Sequence, residues 1–289
     1  MSKPVMLLQS HAKVNLYLKI GKKLKSGYHN IESVMQPIQL HDSISFEKLD
    51  EDTIIVQSNN PDLEGKSNLA YKAALLLKDK FKVKEGIKIY IEKSVPMSAG
   101  LGGGSSNAAN TLITLNRLWG LKIQQKKMIG LGAEIGSDVP FFVVGKTALV
   151  EGIGDKIKPL RKSISLNIVL VNPGIKVSTS WAYRQFDKSK NSLISRNKKD
   201  VKDLISAINR KDIKKISENV YNDFDVIIGK KHKITKDIKT NFRKFGALES
   251  TLSGSGPTVI GIFDSIYTAR EAYFKLKDLY PFVYLTKTF

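Results

Sequence analysis

Residues 11–20, HAKVNLYLKI, alternate with period two: Ala12, Val14, Leu16, Leu18 and Ile20 fall on one face, Lys13, Asn15, Tyr17 and Lys19 on the other. The pattern predicts a half-buried strand whose polar face aims Lys13 and Asn15 into the same space. A second alternating run, IKIYIEK, turns Ile87, Ile89 and Ile91 inward and leads straight into a glycine-rich stretch. Between the two, SNLAYKAALLLKDKF puts Leu69, Ala73, Leu76 and Leu77 on one face of a helix, with Ser67 or Asn68 as its cap. Beyond the glycines, Ala108, Leu112, Leu115 and Trp119 recur at helical spacing, so a helix opens near Ser105 or Ser106 and stops at Gly120.

Further strands are predicted at TALVEG, LNIVLV, TVIGIF and FVYLTKT, and helices near 124–135, 200–209, 211–222, 232–244 and 265–279. The two kinds of element mix without strict alternation and several strands are amphipathic. An antiparallel α+β arrangement therefore fits better than a doubly wound parallel sheet. The lysine-rich segment 187–199, DKSKNSLISRNKK, reads as an exposed loop. A boundary at KIKPLRKS, 156–163, divides the chain into domains of 1–158 and 159–289.

Composition narrows the function classes. A chain of 289 residues, 42% hydrophobic, buries one large core or two ordinary ones. Cysteine is absent, which removes disulfides, thiolate nucleophiles and sulfur-ligated metals, and none of the four histidines pairs at i, i+4. No apolar run approaches membrane-spanning length, so a cytoplasmic protein with no membrane partner is the expectation. The net charge of +20 suits nucleic acid, an anionic surface or a polyphosphate substrate. It is spread along the chain as lysine, and no RNP, KH or helix-turn-helix pattern accompanies it, so the expectation is no nucleic-acid partner.

The candidate chemistry centres on VPMSAGLGGGSSNAAN, Val95 to Asn110. Strand, glycine loop and helix N-terminus together form an anion site, because free N–H groups converge and no side chain blocks a phosphate. No Gly-Lys-Ser/Thr follows, so this is not a Walker A loop, and Ser105 stands where a dinucleotide-binding loop needs its third glycine. SGSGPT (253–258) and EGIGDK (151–156) are candidates for the same cleft. In GSDVPFF, Asp138 taken alone reads as a helix cap, and the triplet containing Tyr28 and His29 as a turn with an aromatic anchor.

Three motifs in one order resemble the GHMP kinase superfamily of galactokinase, homoserine kinase, mevalonate kinase and phosphomevalonate kinase: AKVNLYL, PMSAGLGGGSSNAA and LSGSGPTV. GYHNIESVMQPIQLHD (27–42), GSDVPFF and PGIKVSTSWAY (173–183) resemble most the branch whose acceptor is CDP-methylerythritol, which serves the non-mevalonate route to isoprenoid precursors. The likeness covers essentially the whole chain. It implies an α+β, two-domain GHMP-kinase-like fold: an N-terminal domain shared with a ribosomal protein and a C-terminal ferredoxin-like domain, with the active site in the cleft between them. It implies ATP as co-substrate with magnesium, and a monomer or homodimer.

Residue by residue, the resemblance implies Asp138 as the base for the substrate's C2 hydroxyl, with Lys13 beside it. Asn15 and Thr179 would hold substrate, and Tyr28, His29 and Tyr183 the cytosine. Asn68, Leu69, Lys93, Pro96 and Asn107 would lie on the ATP side, and Gly100, Leu101, Gly102, Gly103, Gly104, Ser105 and Ser106 would wrap its phosphates. MSAG stands where the family has a glycine-richer MGGG, and SDVP replaces ADVP. Other kinases of the superfamily would not require the cytidine cluster, which separates them from this branch.

Overall fold

The computed structural model describes residues 6–189 and 199–289. Two sheets organise the chain. The larger is built on β1 (Met6–Lys23) and β2 (His29–Leu49), two long antiparallel strands. The other edge of β2 is shared end to end: β4 (Gly86–Glu92) pairs with 43–49 and β5 (Ala148–Gly152) with 31–35. β3 (Ile54–Ser58) adds to β4 in parallel and β6 (Lys156–Pro159) pairs antiparallel with β5. The smaller sheet runs β11 (Phe282–Lys287), β7 (Asn167–Asn172), β10 (Val259–Phe263), β9 (Glu249–Leu252), all antiparallel.

Helices α1 (Leu69–Phe81), α2 (Gly103–Leu118), α3 (Gln125–Ile135) and α4 (Val139–Val144) close the core of the larger sheet. Around the smaller sheet lie α5 (Thr179–Ser189), α6 (Val201–Arg210), α7 (Ile213–Asn219), α8 (Phe224–Lys231), α9 (Ile234–Lys244) and α10 (Ile266–Leu276). β7 and β10 are buried on both faces. Ile168, Leu170, Ile260 and Ile262 join Ala12, Val14 and Leu101, while Val169, Val171, Val259 and Phe263 pack with Phe242 and Ala269 of the helices. The two halves also exchange backbone: β8 (Tyr221–Asn222) pairs in parallel with β1, and Thr288 bridges to Ile38.

Several sequence-based expectations need correction. β1 is not half-buried, because Lys13, Asn15 and Tyr17 are as enclosed as the apolar residues between them. Register shifts after His11 and Asn15 break the period, so Tyr17 packs in the cluster of Leu16, whereas Leu18 and Ile20 pack in another. The helix expected over 211–222 ends at Asn219, and the chain then enters β8. The expected 232–244 helix is preceded by α8, and α2 begins at Gly103, ahead of the serines. Of the loop expected over 187–199, residues 187–189 finish α5 and 190–198 lie outside the described residues.

Candidate active site

Local conformation builds the site. Gly102 sits in the left-handed region (φ +70) and opens α2 with no side-chain cap. The first N–H groups of α2, at Gly103, Gly104 and Ser105, therefore point outward without an intrahelical acceptor. Any side chain at Gly102 would bring its Cβ 2.8 Å from the Phe142 ring and 3.3 Å from Cε of Lys13. At Gly100 (φ +77) it would meet the carbonyl oxygen of Ser253 at 2.1 Å. Glycine at both positions lets the loop press against β1 and against the C-terminal glycine motif. Ser253 Oγ donates to Gly100 O at 2.9 Å, and the Lys13 amide donates to Leu101 O at 3.0 Å.

The loop is held from below by a carboxylate to which the sequence reading gave no role. Asp42, fully buried, accepts from both the Ser94 and Val95 amides (2.9 and 2.8 Å), from Asn107 Nδ2 (3.0 Å), and from Lys93 Nζ on both oxygens (3.0 and 2.9 Å). Burial pulls the Lys93 ammonium pKa down, against the opposing pull of Asp42. Lys93 also donates to the Val95 carbonyl. An aspartate in the apolar alternation of IQLHD was the available signal, since a buried carboxylate is rare unless paired.

Above the loop, Lys13 Nζ donates to Asn15 Oδ1 at 2.6 Å, Asn15 Nδ2 to Ser33 Oγ at 2.8 Å, and Ser33 Oγ to Tyr17 O at 2.6 Å. This chain fixes the Lys13 ammonium, only 3% exposed, 3.5 Å from Asp138 Oδ2. Asp138 occupies the N-cap position of α4 but makes no capping hydrogen bond; its carboxylate turns to Lys13 instead.

A cavity of about 830 Å³ is lined by this pair and by an aromatic cluster. Lys13, Asn15, Gly100, Gly102 and Asp138 line it together with Tyr28, His29, Thr179 and Tyr183. Residues of both flanking glycine clusters, Gly154 and Gly254 to Gly256, line it too. Thr179 and Ser255 share a hydrogen bond of 2.8 Å, which ties α5 to the C-terminal motif. His29 stacks on Tyr183 with ring centroids 5.0 Å apart and 20° between planes, while Tyr28 stands 62% exposed. Burial, with the charge of Asp138, raises the Tyr183 hydroxyl to about 12.

The remaining expected residues are not in this cavity. Asn68 caps α1, accepting from the Ala70 amide at 2.8 Å and donating to Leu63 O at 2.6 Å, which selects it over Ser67. Gly104, exposed at the start of α2, is near Leu69, a Cβ there lying 3.7 Å from Leu69 Cδ1. Leu69 and Gly104 are thus neighbours, and Pro96 lies in the loop that joins β4 to α2. Ser106 is turned inward, taking a hydrogen bond from Ser10 at 2.9 Å.

Two mostly antiparallel sheets, a glycine loop feeding an uncapped helix, and a Lys–Asp pair facing it define a phosphotransferase of the GHMP class. Family models agree: residues 68–146 match the GHMP kinases N terminal domain and 204–281 the GHMP kinases C terminal. The chain is 40% identical to a 4-diphosphocytidyl-2-C-methyl-D-erythritol kinase of Caldicellulosiruptor saccharolyticus, covering 98% of this chain and 97% of the relative. It is 38% identical to the one of Clostridium perfringens (98% of both). Among solved structures, a 4-(cytidine 5'-diphospho)-2C-methyl-D-erythritol kinase superposes with TM-score 0.83 at 28% identity, covering 98% of this chain and 99% of that one. L. major mevalonate kinase shares the fold, with TM-score 0.77 at 18% identity over 100% of this chain and 98% of that one. The chain belongs to the family of 4-diphosphocytidyl-2-C-methyl-D-erythritol kinases.

Proposed function

We propose that this chain transfers the γ-phosphoryl group of ATP to the C2 hydroxyl of CDP-methylerythritol, in the cytoplasm. The observation that carries the reading is the single cavity lined by both the Lys13–Asp138 pair and the aromatic cluster of Tyr28, His29 and Tyr183. A polyol attached to a cytidine diphosphate carries a base for the aromatic cluster and a hydroxyl for the Lys–Asp pair.

Asp138 accepts the hydroxyl proton as the oxygen attacks the γ-phosphorus, and the bond to the β-phosphate oxygen breaks to leave ADP. Lys13, held by Asn15 and Ser33, presents fixed positive charge where the in-flight phosphoryl group gathers negative charge. The free N–H groups of Gly103 to Ser105 cradle the phosphates, and Asn68, Leu69 and Gly104 flank the nucleoside. Magnesium supplies charge neutralisation on the phosphates. Among the described residues no group of three His, Cys, Asp or Glu could hold a metal, and phosphate-bound magnesium needs few protein ligands. Of the two serines, Ser105 would be the one to contribute a hydroxyl ligand, since Ser106 Oγ accepts from Ser10.

The deciding experiment measures ADP release with ATP and magnesium across CDP-methylerythritol, mevalonate, homoserine and galactose. Turnover with the cytidylyl compound alone is expected. Phosphorylation of another acceptor instead overturns the role of the aromatic cluster.

A further inference from the structure

One carboxylate lining the cavity belongs to neither the phosphoryl site nor the expected cytidine cluster. Asp187, in the last turn of α5, lines the cavity and takes a 2.7 Å hydrogen bond from His29 Nε2 on Oδ1 and a 2.7 Å ion pair from Lys23 on Oδ2. The His29 side chain is 3% exposed. Its Nδ1 makes no hydrogen bond among the described residues, yet it is not one of their buried unpaired atoms, so it belongs to the small part of the ring that remains accessible. The Tyr183 ring lies nearly parallel over His29, so a base bonded edge-on to the imidazole would share that stacking plane.

We propose, resting on the function proposed above, that Asp187 positions His29 as its Nε2–H tautomer, leaving Nδ1 a lone-pair acceptor that selects cytosine over uracil. A carboxylate can only accept, so the 2.7 Å contact puts the proton on Nε2. In the neutral ring Nδ1 then accepts. Cytosine offers a matching donor, its exocyclic N4 amine, whereas uracil offers the O4 acceptor, and two acceptors facing each other leave both unpaired. Lys23 makes the arrangement robust: burial pushes the Asp187 pKa up, but the hydrogen bonds from Lys23 and His29 outweigh it and hold the carboxyl below its ordinary value. Without Asp187 the imidazole is free to take the other tautomer, and the selection is lost.

The test uses the full-length protein, Asp187→Asn and Asp187→Ala, with ¹⁵N-labelled histidine. Long-range ¹H–¹⁵N correlation at alkaline pH reads which ring nitrogen of His29 carries the proton. Steady-state kinetics compare CDP-methylerythritol with its uridine counterpart. Expected is an Nε2–H ring in the wild type and a mixed or reversed tautomer in both variants. The cytidine-to-uridine ratio of kcat/KM should fall at least about tenfold, through KM for the cytidylyl acceptor and with KM for ATP unchanged. A wild-type Nδ1–H ring overturns the proposal. So does a changed tautomer with intact selectivity, or lost selectivity with an unchanged tautomer, the latter meaning that Asp187 meets the base directly. A wild type that phosphorylates neither acceptor overturns the functional reading itself, and the selectivity claim with it.

Discussion

Asp138 is an N-cap aspartate that declines to cap. The position before a helix normally spends its carboxylate on the N2 or N3 amide, and Asn68, Asp200, Asp212 and Ser265 do so in this chain. Asp138 forgoes that bond to face Lys13 across 3.5 Å. A side chain withheld from a stabilising local contact and placed beside a buried ammonium is available for proton transfer. Asp138→Asn is isosteric and removes no cap, so the fold is expected to stand. Its kcat should fall by about 10²–10⁴-fold with ATP affinity nearly unchanged, as read by steady-state turnover and by calorimetric ATP titration. Retained turnover would remove Asp138 from the base role. The local sequence suggests only the cap; the partner that redirects the carboxylate is 125 residues away in the chain (138 − 13).

At the scale of elements, the glycine loop is ordered by its neighbours. Glycines give it the conformations it needs, and they also make its unfolded forms numerous, so something must hold it. Asp42 of β2 does this by gathering two loop amides, Lys93 at the end of the preceding strand, and Asn107 of α2. Asp42→Ala leaves the Lys93 ammonium buried without its partner and two amides unsatisfied. Urea unfolding should show a loss of roughly 3–5 kcal/mol, as for other broken buried pairs. A change under about 1 kcal/mol would mean that water replaces the carboxylate, as at exposed pairs. Several elements are well marked: α1, β4 and α2 follow their hydrophobic periods, β1 shows an alternation that its register shifts break, and β7 and β10 read as short apolar runs buried on both faces. β2 escapes because its first half, with adjacent Val34 and Met35 and then Pro37, breaks the alternation that Ile38, Leu40, Ile44 and Phe46 carry, and α4 because six apolar residues give no period to read.

At the scale of the whole molecule, residues on either side of 158/159 share one core. Tyr17 is fully buried in a cluster that draws on Leu166, Ile168, Leu204 and Ile260, and β8 completes the edge of β1. We propose that residues 1–158 produced alone fail to reach a native state. The expected result is loss of cooperative thermal unfolding and poorly dispersed amide NMR signals, and a sharp cooperative transition would show the first part to be autonomous. The same interleaving explains the limits of the sequence. Period, turn chemistry and capping are local, so amino-acid order alone gives an antiparallel α+β chain with a glycine loop feeding a helix, and the three motifs carry the resemblance to a kinase. Which motifs share one cavity, that Asp138 serves Lys13, that Asp42 anchors the loop and that Asp187 grips His29 are long-range pairings. They depend on where the packed cores bring distant strands, and no local pattern encodes that; tertiary structure alone settled them.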